Sequence, residues 1–504
     1  EADVLNNLGN AYLPQGQYEK AIDFYEQSLT VSREIKNPHL EADVLNNLGS
    51  VYYSLGQQEK AVDLFEQSLP ICRELKNREG EAEVLDHLGS IYYSLGQQEK
   101  AVDLFQQSLP ILRELKNCEG EVAVLNNLAL LFGELKNREG EAEVLNNLGN
   151  VYKSLGQYEK AVDLFEQSLP ILRELKDRKG EALVLDFLGD AYSYLRQYEK
   201  AINSYQQSLP IFQELKDREQ EANVLNNWGN VYKSLGQYEK AVDLFQQSLP
   251  IYRELKDGKG EANILKDLAF LFRELEDREG EAEVLKNLGN VYESLGQYER
   301  AIDFYEQSLP IYREIKNPQG QADLLNNLDS TYHNLGQHKR RIDVLKQSLP
   351  IKQELKDRKG EANVLHGLGR ACLSQGQYEK GIDALRQSLP IWQELKDRKS
   401  KASVLGFLGH AYRHLGQYKN AINFYQQSLP IWRELKDREE EADVLNSLGN
   451  AYHNLGQSEK GIDVLQQSLA IYQELKHRKG EALALCGLGV CYCCLGQHKR
   501  KIDV

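Results

Sequence analysis

A forty-residue period governs the chain and limits what it can fold into. The stretch EAEVLNNLGNVYKSLGQYEKAVDLFEQSLPILRELKDRKG, residues 141–180, recurs with small changes from one end to the other. Full units begin at Glu1, Glu41, Glu81, Glu141, Glu181, Glu221, Glu281, Gln321, Glu361, Lys401 and Glu441, and a truncated one begins at Glu481. Two stretches, 121–140 and 261–280, are half units. A unit this short cannot close a core by itself and must bury its apolar face against its neighbours, so the 504 residues are counted in units. The organisation expected is three units over 1–120, a half unit over 121–140 and three units over 141–260. A second half unit then covers 261–280, and five units plus a truncated sixth cover 281–504.

Inside the unit 141–180 the apolar spacing is helical twice. Leu145, Leu148, Val151 and Tyr152 form one stripe that stops at Gly156, a residue suited to a left-handed helix end. Tyr158, Ala161, Val162, Phe165, Leu169, Leu172 and Leu175 form a longer stripe, expected to end near Asp177 to Gly180. We call these helices A and B. Pro170 lies within the second and recurs at the same phase, for example as Pro70, Pro250 and Pro430, which predicts a kink in mid-helix. The half units join the start of A to the end of B, and Leu125, Leu128, Phe132 and Leu135 keep one unbroken stripe. A single helix is expected in each, with a break or bend of the array at both places.

Composition narrows the partners. With 41% apolar residues and 27% charged, the chain has material for a continuous core. A net charge of -15 argues against duplex nucleic acid or an anionic membrane as the main partner, since both demand a basic face. No apolar run approaches the ~18 residues of a membrane span and no signal peptide opens the chain, so a cytoplasmic setting is expected. The seven cysteines hold no fixed phase, unlike a disulfide framework. There is no methionine, and the chain starts and stops inside the repeat, at Glu1 and at Val504, from which a piece of a longer protein is expected.

The order Leu148-Gly149-x-x-Tyr152, then Ala161 and Phe165, resembles the tetratricopeptide repeat, and the resemblance covers essentially the whole chain. Leu8-Gly9-x-x-Tyr12 with Ala21, Leu48-Gly49-x-x-Tyr52 with Ala61, and Leu448-Gly449-x-x-Tyr452 repeat it. The unit exceeds the family's usual length of about 34 residues, and Leu145 stands where the family's tryptophan would be. With its extended helix B and charged Lys176-Asp177-Arg178-Lys179-Gly180 connection, the longer unit looks most like the arrays of kinesin light chains and related bacterial scaffolds. HEAT arrays share the length but lack this Leu-Gly-x-x-Tyr helix. The resemblance implies an all-α, right-handed solenoid of stacked antiparallel helix pairs, interrupted here by the two single-helix half repeats. Departures from the pattern sit at Asp329 for the glycine, Cys372 for the tyrosine, Arg196 for the turn glycine, and Arg341 and Lys501 for the small alanine. A long cation at the alanine site should overpack it by roughly 1 to 3 kcal/mol unless it reaches outward, so the unit around Arg341 is expected to be the weakest.

In arrays of this kind helix A lines a concave surface that holds an extended peptide, and the matching positions are the sixth, tenth and thirteenth of each unit. They read Asn6, Asn10, Leu13; Asn46, Ser50, Tyr53; Asp86, Ser90, Tyr93; Asn146, Asn150, Lys153; Asp186, Asp190, Ser193; and Asn226, Asn230, Lys233. The row continues Lys286, Asn290, Glu293; Asn326, Ser330, His333; His366, Arg370, Leu373; Gly406, His410, Arg413; and Asn446, Asn450, His453. Asparagine both donates and accepts, so a ladder of it can pair with any peptide backbone. The plain alternative is that these residues only solvate an exposed helix face. The histidines and arginines of the later units make a locally basic stretch suited to an acidic peptide, or record drift at solvated positions.

No phosphate-binding loop, HExxH, GxSxG or isolated Cys/His pair rises above the repeat, so no enzyme and no cofactor is expected. Cys486, Cys491, Cys493, Cys494 and His498 cluster without zinc-finger spacing, and no metal is expected there. Trp228, Trp392 and Trp432 read as core. The function expected is a scaffold that binds a protein or peptide in the groove, with uncapped ends that would allow self-association. Two alternatives stand: a sensor array whose NTPase or protease effector lies outside this stretch, and a structural spacer.

Overall fold

The computed structural model of the protein describes residues 1–495, over which the chain forms twenty-five α-helices, one short 3-10 turn and no strand. Each full unit is a helical pair, and the unit at 141–180 shows how the sequence produces it. Helix A runs Arg138–Ser154 and helix B runs Tyr158–Leu175. Between them Gly156 takes φ +71, a left-handed conformation that lets the chain reverse in three residues.

The other connection differs from the sequence reading. Helix B stops at Leu175, and only Lys176 and Asp177 lie outside helices before the next A helix, Arg178–Tyr194. Asp177 is the reason: its carboxylate accepts from the Gly180 backbone N–H at 2.9 Å and so caps the next helix. Lys176 turns the chain at φ 58, the left-handed role that a glycine would ordinarily take. Gly180 therefore belongs to the first turn of a helix. A Cβ there would lie 2.8 Å from Leu172 Cδ2, so the glycine marks close approach to the preceding B helix. The prolines do not end the B helices, and residues on both sides of Pro70, Pro170 and Pro430 remain helical.

Helices A and B of a unit meet across small residues. Leu148 is buried, Ala161 is fully buried, and a Cβ on Gly149 would fall 2.5 Å from Phe165 Cε1. A buried serine at the twenty-eighth position ties the pair together: Ser308 Oγ donates to the Ala282 carbonyl, Ser428 to Ala402 and Ser468 to Ala442, each at 2.8 Å. At the unit's edge runs a chain of ion pairs. Arg173 Nε meets Glu181 Oε1 at 2.8 Å, Glu181 Oε2 meets Arg178 at 2.7 Å, and Arg178 reaches Glu214 on the following B helix at 3.3 Å. The same rungs recur at Arg73, Glu81, Arg78 and Glu114.

Arg341 has a partner that the sequence reading did not give it. Arg341 is 6% exposed and does not reach outward; its Nε donates to Asp329 Oδ1 at 2.6 Å, with Nη2 to Oδ2 at 3.3 Å. The two departures, aspartate for glycine on helix A and arginine for alanine on helix B, face each other and pair a buried arginine with a half-buried aspartate. Lys501, the other departure of this kind, lies outside the described residues.

The chain divides into two compact units at Lys256 and Asp257. In the first, residues Cys118–Glu134 of the half unit form a single helix that packs on Gln98–Glu114 before it and Arg138–Ser154 after it. In the second, Gly258–Glu274 is also one helix, packed on Arg278–Ser294. Within each compact unit successive A helices touch one another, as Pro38–Ser54 does Arg78–Ser94 and Arg398–His414 does Arg438–Asn454, while successive B helices stay further apart. The A helices are thus the more closely spaced layer within each run of full units. Trp392 and Trp432 are buried between units, and Trp228 packs half-buried on Tyr232. Among the described residues no helix is long and apolar enough to cross a membrane.

Candidate functional site

The inner A face carries the row predicted from sequence, because positions six, ten and thirteen share one side of a helix. The side chains differ in how far they are already engaged. In the first compact unit Asn6 and Asn46 are buried rather than open; Asn6 Oδ1 accepts from Asn47 at 3.0 Å and Asn46 Nδ2 donates to Glu83 at 2.8 Å. Asn10 accepts from the Tyr25 hydroxyl at 2.6 Å. Tyr53 meets His87 edge-on at 6.4 Å. Asn146 Oδ1 accepts from Ser168 Oγ at 2.8 Å, and Asn230 Nδ2 donates to the Asn226 carbonyl at 3.1 Å. Asn150 and Lys233 are half-buried on the same face. Lys153 pairs with Asp190 at 3.1 Å and lies over the Phe187 ring at 4.4 Å.

In the second compact unit Asn290 accepts from Tyr305 and from Asn327, both at 2.8 Å. Asn326 is exposed, and Asn450 donates to the Asn446 carbonyl at 2.9 Å. Arg370 stacks on Phe407 at 5.1 Å, and His410 meets His414 at 3.1 Å. Arg413 is half-buried next to them, with its Nε unpaired. The basic reading of this stretch needs correction. Burial, with Arg370 and Arg341 nearby, lowers His366 to about 4, and burial, with Arg413 and His414 nearby, lowers His410 to about 4. Both imidazoles are neutral at pH 7, and the charge rests on the two arginines.

Two features of this face escaped the sequence reading. The seventh position reaches back to the preceding unit, as Asn47 to Asn6, Asn227 to Asp190 at 3.0 Å and Asn327 to Asn290, and the doubled Asn-Asn of many units was its only sequence signal. The sixth position has acceptor oxygens without a partner in four units: Asn46, Asp86, Asp186 and Asn446 each hold a buried Oδ1 that no donor reaches. Asp186 is extreme. Burial, then the charge of Asp190, pushes its carboxyl well above the usual range despite Lys153.

Cys486, Cys493 and Cys494 are exposed and Cys491 is buried; His498 lies outside the described residues. Among the described residues no three histidine, cysteine or carboxylate side chains gather as a metal would need.

No curated protein matches the chain. Among solved structures, a putative kinesin light chain with nearly identical repeats from Podosopora anserina is 21% identical, covers 39% of this chain and 96% of its own, and superposes with a TM-score of 0.34. The Cut9 and Hcn1 assembly of the APC/C is 16% identical over 97% of this chain and 96% of its own, at a TM-score of 0.32. Yeast Tom70 is 14% identical over 96% and 95%, at 0.30. These are likenesses of fold and extend to nothing those proteins bind. The tetratricopeptide repeat model matches residues 1–74, 82–115, 140–214, 220–279 and overlapping stretches from there to residue 500. With helical pairs, close-approach glycines and a family match over most of its length, the chain belongs to the tetratricopeptide repeat family.

Proposed function

We propose that this array is a protein-interaction scaffold that holds an extended peptide along the inner A face. Arrays of the family generally mediate protein–protein interaction. The observation that carries the finer reading is the row of unpaired acceptors at position six. A buried oxygen without a donor costs about 1–3 kcal/mol, and the array repeats that cost at Asn46, Asp86, Asp186 and Asn446. A peptide backbone supplies N–H donors along an extended line, which a modest side-chain rotation at these positions would meet. The engaged neighbours at positions seven and ten then serve to hold the face rigid.

The test is selection from a peptide display library, followed by binding measured for the wild type, for Asp86→Ala with Asn446→Ala, which removes two of the unpaired acceptors, and for the fourfold variant Asn146→Ala, Asn150→Ala, Asn226→Ala and Asn230→Ala. The substituted positions are half-buried, and an unchanged helical melting curve would show the fold intact. Affinity is expected to fall by about tenfold or more, the loss of one to two hydrogen bonds. If binding survives undiminished, the groove reading fails and the array is left as a spacer.

A further inference from the structure

One of the cavities along the inner face lies where a side chain is missing. Position six carries asparagine, aspartate, lysine or histidine in the other full units, but Gly406 stands there in the unit that begins at Lys401. A Cβ at Gly406 would meet only Ser428 Oγ, at 4.0 Å, so the missing side chain leaves open space. The cavity measures about 360 Å³, within the ~300–1,000 Å³ of small-molecule sites.

Its lining is amphoteric. The floor is apolar, from Phe407, Trp432 and Val444. On one side Arg370 arrives from the A helix Arg358–Ser374, stacked on Phe407 with no carboxylate in ion-pair distance among the described residues. On the other side Glu440 and Asp443 arrive from the A helix Arg438–Asn454. Arg370 and Glu440 sense each other's charge across the gap without pairing. Between them the Tyr425 hydroxyl is buried, with the residue only 2% exposed. In three other units the tyrosine at this position donates to position ten, as Tyr25 does to Asn10, Tyr205 to Asp190 and Tyr305 to Asn290. Here position ten is His410, and Tyr425 faces Arg413 and Ser447 but makes a hydrogen bond of good geometry with neither.

We propose that this cavity binds a small zwitterion, an α-amino acid with a large apolar side chain. Its carboxylate would take the Arg370 guanidinium, its ammonium would face Glu440 and Asp443, and its side chain would lie on Phe407 and Trp432. An anion alone would meet the two carboxylates, and a cation alone would meet Arg370. Only a ligand carrying both charges satisfies both walls.

The experiment is calorimetric titration of the whole chain with phenylalanine, leucine and tryptophan, beside N-acetylphenylalanine, phenylalaninamide and N-acetylphenylalaninamide. Saturable binding of at least one free amino acid is expected, weakened about tenfold or more when either charge is blocked. Arg370→Gln should erase the preference over phenylalaninamide, and Glu440→Gln with Asp443→Asn should erase the preference over N-acetylphenylalanine. Gly406→Asn restores the residue found at position six in six other units; it should fold normally and abolish binding. Absence of saturable binding overturns the proposal. So does binding that survives Gly406→Asn, which places the ligand elsewhere. Equal affinity for N-acetylphenylalaninamide also overturns it, since the cavity would then anchor a peptide side chain. None of these outcomes bears on the fourfold asparagine variant, so the two readings fail separately.

Discussion

Asp186 shows what a single residue adds to the repeat. At position six, where most units keep a neutral amide, it buries a carboxyl beside Asp190, and burial raises its pKa. The folded form therefore keeps its proton to a higher pH than the unfolded form. Stability is fully present below the ordinary carboxylate range and is lost as the pH rises through the folded value. Asp186→Asn is expected to remove that slope and to raise stability at pH 8 by at least about 1 kcal/mol, since a tenfold change in proton affinity is worth about 1.4 kcal/mol. Thermal melts at pH 4 and pH 8 check this, with the two proteins converging at the acid end. The helical positions of such residues were legible from spacing alone. Their engagement was not, because whether Asn6 is open or held by Asn47 depends on the distance between units, which no single unit encodes.

Helices were read correctly in number and kind within each unit, but their ends were read from the wrong residues. The apparent stop at Gly180 is a packing glycine, and the true stop uses Lys176 in a left-handed conformation with Asp177 capping the next helix. Lysine is a poor signal for that conformation, which is why the boundary slipped by several residues. The pair Asp329 and Arg341 was likewise legible only as two separate faults. Sequence gives their positions, and the facing of helix A on helix B makes them one interaction. Removing Asp329 leaves the Arg341 charge buried, whereas removing Arg341 leaves a half-buried carboxylate. Asp329→Gly alone is expected to cost about 3–5 kcal/mol and Arg341→Ala less, while both together, which restores the repeat's usual residues, should be neutral or stabilising. A double-mutant cycle by denaturant unfolding measures this, and additivity of the two single changes would refute the pairing.

At the scale of the molecule the repeat makes neighbours matter more than totals. Each compact unit is a row of helical pairs in which a residue touches its own pair and the next, and stability is a sum of such local terms. The edge of ion pairs follows the same rule, since Arg178 ties Glu181 on its own helix to Glu214 on the B helix that follows. Its arginines and outer glutamates are substantially exposed, with Arg178 at 47% and Glu214 at 65%, while the central Glu181 is buried at 10%, so dissolved ions screen the outer charges over a Debye length of about 8 Å at physiological ionic strength. The rung that bridges successive pairs is Arg173 to Glu181, and a tie whose arginine is open to salt behaves as an adjustable spring. Each compact unit should become more compliant as salt rises, seen in scattering as a broader spread of end-to-end lengths at unchanged helix content. A length distribution insensitive to salt would show that the apolar core alone sets the stiffness. The inner face of each compact unit would then keep one width in dilute and salty media; otherwise the medium itself sets how tightly each can curl.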